Sequence, residues 1–501
     1  MGAGSDQGFV YLFPHVQLEA LIRALSPSEV AGARSVEIGD LAYDTRSVTS
    51  GSLFFCVRGE RVDGHQLAWE ALEQGAAALV VEHVLEVGAP QLVVTDSRAA
   101  MAVVADVFFG QPTRELQVVG VTGTNGKTTT AYLVHSMLDV AGRSPGLVGT
   151  VEWRVGGERR PAPFTTPEAI DLQRLLREML DAGDRSVAME ASSHGSALRR
   201  LDRVRFDALV FTNLSQDHLD LHGTMEEYFQ AKRRLFTGAQ PPPAAVNVGD
   251  EWGRRLADEL AAAHRAPLLT FGLEGGEIRP EGLELTSSGS RFRVGGIDVE
   301  TPLLGLFNVE NALGAVAAGL LLDLDDDDIA GGIAGVSNVA GRFESLDEGQ
   351  PFAVIVDFAH TPDSLEAALR SARGLGDGRL IVVFGAGGDR DRGKRPLMGR
   401  VALEGADVVV VTSDNPRSED PLAIIQDVLQ GTGLDVEIDP DRRSAIERAV
   451  CLAEPGDVVL IAGKGHEQGQ EVKGVVHPFD DRVVARDALL ALTRERGELR
   501  R

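Results

Sequence analysis

A run of apolar, strand-forming residues at 116–121 (LQVVGV) ends in the turn Gly123-Thr124-Asn125-Gly126 and passes through Lys127, Thr128 and Thr129 into a helical pattern reaching about residue 141. A strand that feeds a tight glycine loop and then a helix N-terminus is a phosphate-binding device. Glycines let backbone N–H groups converge on the oxygens, and the helix dipole favours the anion. Lys127 is placed to meet the β- and γ-phosphates of a nucleoside triphosphate, and Thr128 to offer its hydroxyl to Mg²⁺. The spacing departs from the common GxxxxGK[ST] form, which would put glycine where Val121 stands.

The same alternation of strand and helix recurs along the 501 residues. At roughly 100–200 residues per domain, this length predicts three. Residues 1–114 carry short strand patterns at 52–57, 77–81 and 91–94. Residues 115–339 add strands at 186–190, 208–212, 245–247 and 268–271, a small antiparallel meander at 278–299 and a helix at 308–322. Residues 340–501 repeat the alternation with strands at 353–357, 380–385, 408–412 and 458–462. The expected class is α/β: an N-terminal α/β domain, a central parallel-sheet nucleotide domain and a C-terminal Rossmann-like domain.

The formal charge of −26 disfavours nucleic acid and anionic lipid as partners. No apolar run reaches the length of a membrane span. Residues 9–13 lack a cationic flank and are followed by Pro14, which makes a poor signal peptide, so a cytoplasmic location is expected. Cys56 and Cys451 each lie in or beside apolar runs and read as buried structural thiols. Local cation clusters at 199–205, 232–234 and 390–395 offer sites for anionic small molecules.

Further motifs carry candidate chemistry. Glu190 ends a strand in MEASSHG, His218 lies in NLSQDHLDLHG, and Lys232 lies in YFQAKRRLF. A carboxylate and an imidazole are reasonable ligands for a divalent metal. By its type alone, Lys232 reads as a surface or phosphate-binding lysine. Arg46 in YDTRSV suits a pyrophosphate, and Arg200 suits a carboxylate. Downstream stand FNVENAL with Asn308 and Asn311, AGRFE with Arg342, and DFAHTPDSL with Asp357 and His360. They are followed by GAGGDRDRGKRP with Arg390, SDNPRSEDP with Asp414, Asn415, Pro416 and Arg417, and AGKGHEQGQ with Gly463 and Glu467.

In their order and over nearly the whole chain, these strings resemble the Mur ligases. The phosphate loop is also similar to that of folylpolyglutamate synthetases, which lack the YDTR segment and SDNPR. The resemblance implies ATP-driven amide ligation in peptidoglycan synthesis, serving cell shape and division. It implies Mg²⁺ held by Thr128, Glu190, His218 and a carbamylated Lys232, with ATP also meeting Asn308, Asn311, Arg342, Asp357 and His360. Tyr43, Thr45, Arg46, Thr165, Thr166, Ser192 and Arg200 match positions that hold a UDP-N-acetylmuramoyl-dipeptide. Many relatives have Asn where Phe164 stands and Gln where Leu198 stands. DNPR resembles the signature of members that add meso-diaminopimelate. That amino acid differs from lysine by one distal carboxylate, which Arg417 can grip bidentately, with Arg390, Gly463 and Glu467 completing the pocket. Lysine addition is the alternative within the family. The expected state is a monomer.

Overall fold

Strands such as SLFF, ALVV, SVAME, LIVVF and VVLIA are apolar on successive residues and not only on alternate ones. Such a strand is stable where both sheet faces are covered, and the computed structural model builds its sheets this way. It describes residues 15–59, 62–286, 288–432 and 436–498, with side chains to 494. The apolar stretch at 9–13 lies outside these residues.

One compact unit comprises Met1–Gln117, Thr166–Arg185 and His194–Arg205. Its five-stranded sheet runs Glu29–Ala31, Gln91–Val93, Ala78–Val81, Ser52–Phe55, Asp40–Ala42, parallel except for the first strand. Successive side chains of a strand point to opposite faces. Leu53 and Phe55 therefore pack with Met101, Phe108 and Ile170, while Phe54 and Cys56 pack with Ala68 and Ala71.

The second unit comprises Val118–Thr165, Ser186–Ser193 and Phe206–Arg501. Its eight-stranded sheet has the order Glu158–Pro161, Glu152–Val155, Pro145–Val148, Ser186–Glu190, Gln117–Thr122, Ala208–Phe211, Ala244–Asn247, Leu268–Phe271. The first two strands form an antiparallel hairpin at the edge. Helices Lys127–Val140 and Leu306–Leu321 cover one face, through Leu133, Met137, Ala312 and Val316. A three-stranded antiparallel sheet spans residues 281–301.

A six-stranded sheet in the same unit has the order Glu344–Ser345, Ala353–Asp357, Val458–Ala462, Leu380–Phe384, Val408–Val411, Glu437–Ile438. All but the first strand are parallel. Helices Pro362–Arg373, Lys394–Gly405 and Pro421–Thr432 lie on one face, and Arg442–Leu452 and Asp481–Glu498 on the other. Among the described residues no helix is long and apolar enough to cross a membrane.

The cysteine expectation needs one correction. Cys56 is buried but Cys451 is exposed. The buried stripe of helix Arg442–Leu452 is Ala445, Ile446, Ala449 and Val450, and Cys451 falls off it at the last turn.

Candidate active site

The glycine loop is braced from the next strand's end. Thr124 N–H donates to Asn213 O at 2.9 Å, and Asn125 N–H to Asn213 Oδ1 at 2.9 Å. Gly126 has φ +85°, and a Cβ there would lie 2.2 Å from Asn311 Oδ1, so glycine is required on both counts. Asn311 Nδ2 in turn donates to Asn308 Oδ1 at 2.8 Å. Thr128 and Thr129 are buried on the first turn of the following helix. Lys127 Nζ folds back onto the carbonyls of Gly123 (3.0 Å) and Thr124 (2.7 Å). Burial lowers its pKa from the ordinary lysine value.

Lys232 also reaches this loop: its Nζ donates to Gly123 O at 2.7 Å. This corrects the reading of Lys232 as a surface lysine, because it is 1 % exposed. Helix Met225–Arg233 turns Tyr228, Phe229 and Lys232 inward together. Burial first, and the Lys127 charge second, push the Lys232 pKa well below the ordinary value. Tyr228 is the floor beneath this group. Its ring stacks on His222 (4.9 Å between centroids), meets His218 edge-on (6.2 Å) and lies 4.6 Å from Lys232 Nζ. Its hydroxyl is 3.1 Å from Thr124 Oγ1.

Glu190 ends its strand fully buried and held by Thr150. Oε1 accepts from Thr150 N–H at 2.7 Å, and Oε2 from Thr150 Oγ1 at 3.0 Å. Thr150 Oγ1 also lies 3.0 Å from Thr165 Oγ1. Half-buried Ser192 follows Glu190 by two residues. Among the described residues no group of three or more His, Cys, Asp or Glu side chains is arranged to hold a metal.

The 340–501 segment supplies the opposite wall. Arg342 Nη2 donates to Thr128 Oγ1 at 3.0 Å, its guanidinium lies over the Phe358 ring at 4.5 Å, and its buried Nε has no hydrogen-bond partner among the described residues. Asp357 accepts from Phe343 N–H at 2.7 Å, and burial raises its pKa. Asp217 stands 3.6 Å from His360 Nε2, 3.3 Å from His218 Nε2 and 3.6 Å from Lys394 Nζ. Burial raises its pKa, but these three groups together hold it well below the carboxylate range.

A second cluster gathers at the carboxyl ends of two strands. Asn415 Nδ2 donates to Glu467 Oε2 at 2.8 Å, and Lys464 Nζ donates to the same oxygen at 2.8 Å and to Asn415 Oδ1 at 3.1 Å. Asp414 Oδ1 accepts from Asn415 N–H, whereas its buried Oδ2 has no hydrogen-bond partner among the described residues. Gly463 (φ +122°) lies against that oxygen, which a Cβ would approach to 2.7 Å. Arg417 Nη1 donates to Gly388 O at 2.7 Å, and its Nε is 3.5 Å from Glu471. Pro416 is buried against Gly388. Arg390 is exposed, and its Nη1 donates to its neighbour's carbonyl, Asp389 O, at 3.3 Å. Its neighbours Lys394 and Arg395 are buried and already paired with carboxylates, so they are not the open cations that the charge run suggests.

In the first unit, Tyr43 Oη donates to Asp171 Oδ2 at 2.6 Å. Thr45 is buried, and Arg46 is exposed and paired with Asp44. Arg200 donates to Thr166 O and to Glu168 Oε1, both at 2.8 Å, and its buried Nε has no hydrogen-bond partner. Phe164 is 55 % exposed.

Sequence reasoning missed Thr150, Tyr228 and Lys464. Lys464 sits inside a motif singled out for its neighbours. Tyr228 precedes Lys232 by one helical turn, a spacing that places both on one face. Thr150 carries no local signal.

Three family models cover most of the chain: Mur ligase family, catalytic domain (residues 37–109), Mur ligase middle domain (121–319), and Mur ligase, glutamate ligase domain (341–465). A UDP-N-acetylmuramoyl-L-alanyl-D-glutamate--2,6-diaminopimelate ligase of Geobacillus thermodenitrificans is 48 % identical over 489 residues, covering 95 % of this chain and 99 % of that one. One of the same name from Streptomyces coelicolor is 46 % identical over 475 residues, covering 91 % and 93 %. A solved structure of an enzyme so named superposes with a TM-score of 0.68 at 33 % identity, covering 96 % and 100 %. With these models over most of its length and relatives matched nearly end to end, the chain belongs to the Mur ligase family.

Proposed function

We propose that this chain uses ATP to join meso-2,6-diaminopimelate to the D-Glu γ-carboxylate of UDP-N-acetylmuramoyl-L-alanyl-D-glutamate, in peptidoglycan synthesis. The carrying observation is the mixed charge of the strand-end cluster: Arg417 beside Asp414, whose Oδ2 is buried without a hydrogen-bond partner, and Glu467. Diaminopimelate carries both an ammonium and a carboxylate on its distal carbon. A pocket that presents both cationic and carboxylate side chains suits that zwitterion better than lysine, which lacks the distal carboxylate. Arg390 and Gly463 complete this pocket, with Asn415 and Pro416 shaping it.

The γ-carboxylate attacks the γ-phosphorus, ADP departs, and an acyl phosphate forms. The amine then adds to the acyl carbon and loses a proton, and the tetrahedral intermediate expels phosphate. The residues work by positioning and by offsetting charge. Lys127 exchanges its bonds to the Gly123 and Thr124 carbonyls for phosphoryl oxygens, and Arg342 brings its free Nε–H to the same oxygens. Gly123–Thr129 wrap the phosphates, and Asn308, Asn311, Asp357 and His360 serve the rest of the nucleotide. Tyr43, Thr45, Arg46, Thr165, Thr166, Ser192 and Arg200 hold the UDP-muramoyl-dipeptide.

The donor set fits Mg²⁺ in part as it stands. The Thr128 hydroxyl and Glu190 carboxylate are hard oxygen donors, with His218 as a third ligand. Lys232 fits only after modification. Its burial favours the neutral amine, which can add to CO₂ and lose a proton, turning a cation into a carbamate anion. Bound Mg²⁺ would supply neutralisation of phosphoryl charge.

The same reading makes the protein a cytoplasmic monomer acting on small molecules in cell-wall growth, cell shape and division; sedimentation at one chain's mass checks the monomer. The deciding experiment is phosphate release from ATP and Mg²⁺ with the UDP-muramoyl-dipeptide, comparing meso-diaminopimelate with L-lysine. Turnover with diaminopimelate alone is expected. Preference for lysine would overturn the assignment of Arg417, and no turnover with either would overturn the ligase reading.

A further inference from the structure

Arg442 is the first of two arginines that open helix Arg442–Leu452, and no motif draws attention to it. It is fully buried, as is Asp481 at the start of helix Asp481–Glu498. The two form a bidentate pair, Nε to Oδ1 and Nη2 to Oδ2, both at 2.7 Å. Two further N–H groups of the guanidinium reach backbone carbonyls: Nη1 donates to Ser413 O at 3.2 Å and Nη2 to Ala462 O at 3.0 Å. Ser413 immediately precedes Asp414–Arg417, and Ala462 immediately precedes Gly463–Glu467.

Strands Val408–Val411 and Val458–Ala462, which lead to these residues, are not neighbours in the sheet. Leu380–Phe384 lies between them, so no ladder hydrogen bond joins these two strands, which stand roughly two strand spacings, about 10 Å, apart. Beyond their ends the loops meet through the Asn415–Glu467 and Lys464–Asn415 side-chain bonds. Arg442 bridges that gap from below. A Cβ on Gly463 would lie 2.7 Å from Asp414 Oδ2 and 3.7 Å from Arg442 Nη2, which puts the guanidinium directly beneath the meeting point of the two loops. Ser413 is fixed again by its Oγ, which donates to Pro440 O at 2.7 Å.

A buried ion pair is a poor means of stabilising a core, since well-packed apolar side chains of similar volume are often as stable. What apolar side chains cannot do is hold two carbonyls at a set separation. We propose that Arg442, oriented by Asp481, is a positioning residue that fixes the Asp414–Arg417 loop relative to the Gly463–Glu467 loop and thereby sets the width of the amino-acid pocket. The inference rests on the reading of those loops as the diaminopimelate pocket.

The test is steady-state kinetics on the full-length enzyme, measuring KM separately for diaminopimelate, ATP and the UDP-muramoyl-dipeptide. The variants are Arg442→Lys, the paired Arg442→Met/Asp481→Leu, and Arg417→Ala as a control for the pocket. Losing hydrogen bonds from a charged donor corresponds to about a tenfold effect. A rise of that order in KM for diaminopimelate is expected in the paired variant and a smaller one in Arg442→Lys, with both other KM values within about twofold. Arg442→Lys keeps the charge on Asp481 but cannot hold both carbonyls, and it decides the matter if the paired variant does not fold. An unchanged KM for diaminopimelate, or a parallel rise in all three, overturns the clamp. If Arg417→Ala leaves the KM for diaminopimelate unchanged, the pocket reading itself falls, and the clamp with it.

Discussion

Thr150 holds both oxygens of the Glu190 carboxylate, one through its backbone N–H at 2.7 Å and the other through its hydroxyl at 3.0 Å. The carboxylate is thereby locked in orientation at the end of a central strand, with Gly149 allowing the approach: a Cβ there would lie 2.8 Å from Oε1. Thr150→Val keeps the shape and the backbone bond but removes the hydroxyl. One hydrogen bond to a charged group is worth about 1.5–3 kcal/mol, so kcat/KM for ATP should fall about 10- to 100-fold. A Mg²⁺ titration of activity should shift to higher concentration. Unchanged Mg²⁺ dependence would separate Thr150 from the metal side of the site.

Lys232 and Lys127 both donate to the carbonyl of Gly123. Two ammonium groups sharing one acceptor in a buried site would repel, which together with burial favours the neutral amine at Lys232 that CO₂ converts to an anion. Enzyme equilibrated with carbon-13 bicarbonate should therefore show a carbamate carbonyl resonance that is absent in Lys232→Ala. That variant should lose activity by about 100-fold or more, on the scale of removing one preorganised charged group from an active site. Full activity of Lys232→Ala without added bicarbonate would remove the carbamate from the mechanism.

The strand-end cluster yields a third expectation. Lys464 is fully buried, and among the described residues its charged partner within ion-pair distance is Glu467. Lys464→Met keeps the length of the side chain but removes its bonds to Glu467 and Asn415 and leaves the carboxylate without its cation. The KM for diaminopimelate should rise about tenfold or more, since both hydrogen bonds of the ammonium are lost and one to a charged group is worth at least about 1.5 kcal/mol. The KM for ATP should not move. A rise in both would mark Lys464 as part of the general scaffold.

Periodicity located the elements because it is a local property. The strands Ser186–Glu190, Leu268–Phe271, Ala353–Asp357 and Val458–Ala462 span the same residues in the structure as in the apolar pattern. The phosphate loop was legible for the same reason, since strand, loop and helix are contiguous. Thr150, Tyr228, Arg442 and Lys464 were not singled out because their work is done through contacts distant in sequence. Arg442, for example, meets Asp481, Ser413 and Ala462 from three separate segments. Nor does sequence show that Thr166–Arg185 and His194–Arg205 join the N-terminal residues in one compact unit, because a linear boundary cannot describe a unit assembled from three stretches. The exposure of Cys451 turns on a single step around a helix, finer than an apolar run resolves.

Arg395 is fully buried and paired with two carboxylates, Glu419 (2.8 Å) and Asp427 (2.8 Å). The Arg395 bond holds the Glu419 carboxyl down, against the opposing effect of burial, from the ordinary 4.5 to about 2. A carboxyl depressed on folding contributes stability that is complete above its unfolded pKa and is lost as the pH falls through its folded pKa. The contribution should therefore be complete above about pH 5 and gone near pH 2, and a shift of this size is worth ~3 kcal/mol. Glu419→Gln removes the titration and leaves the guanidinium under-compensated. Urea unfolding of wild type and Glu419→Gln between pH 2 and pH 7 should show a stability difference that is constant at neutral pH and shrinks below pH 4.5. A difference that persists unchanged at pH 2 would mean that packing, and not the charge of Glu419, holds Arg395 in place.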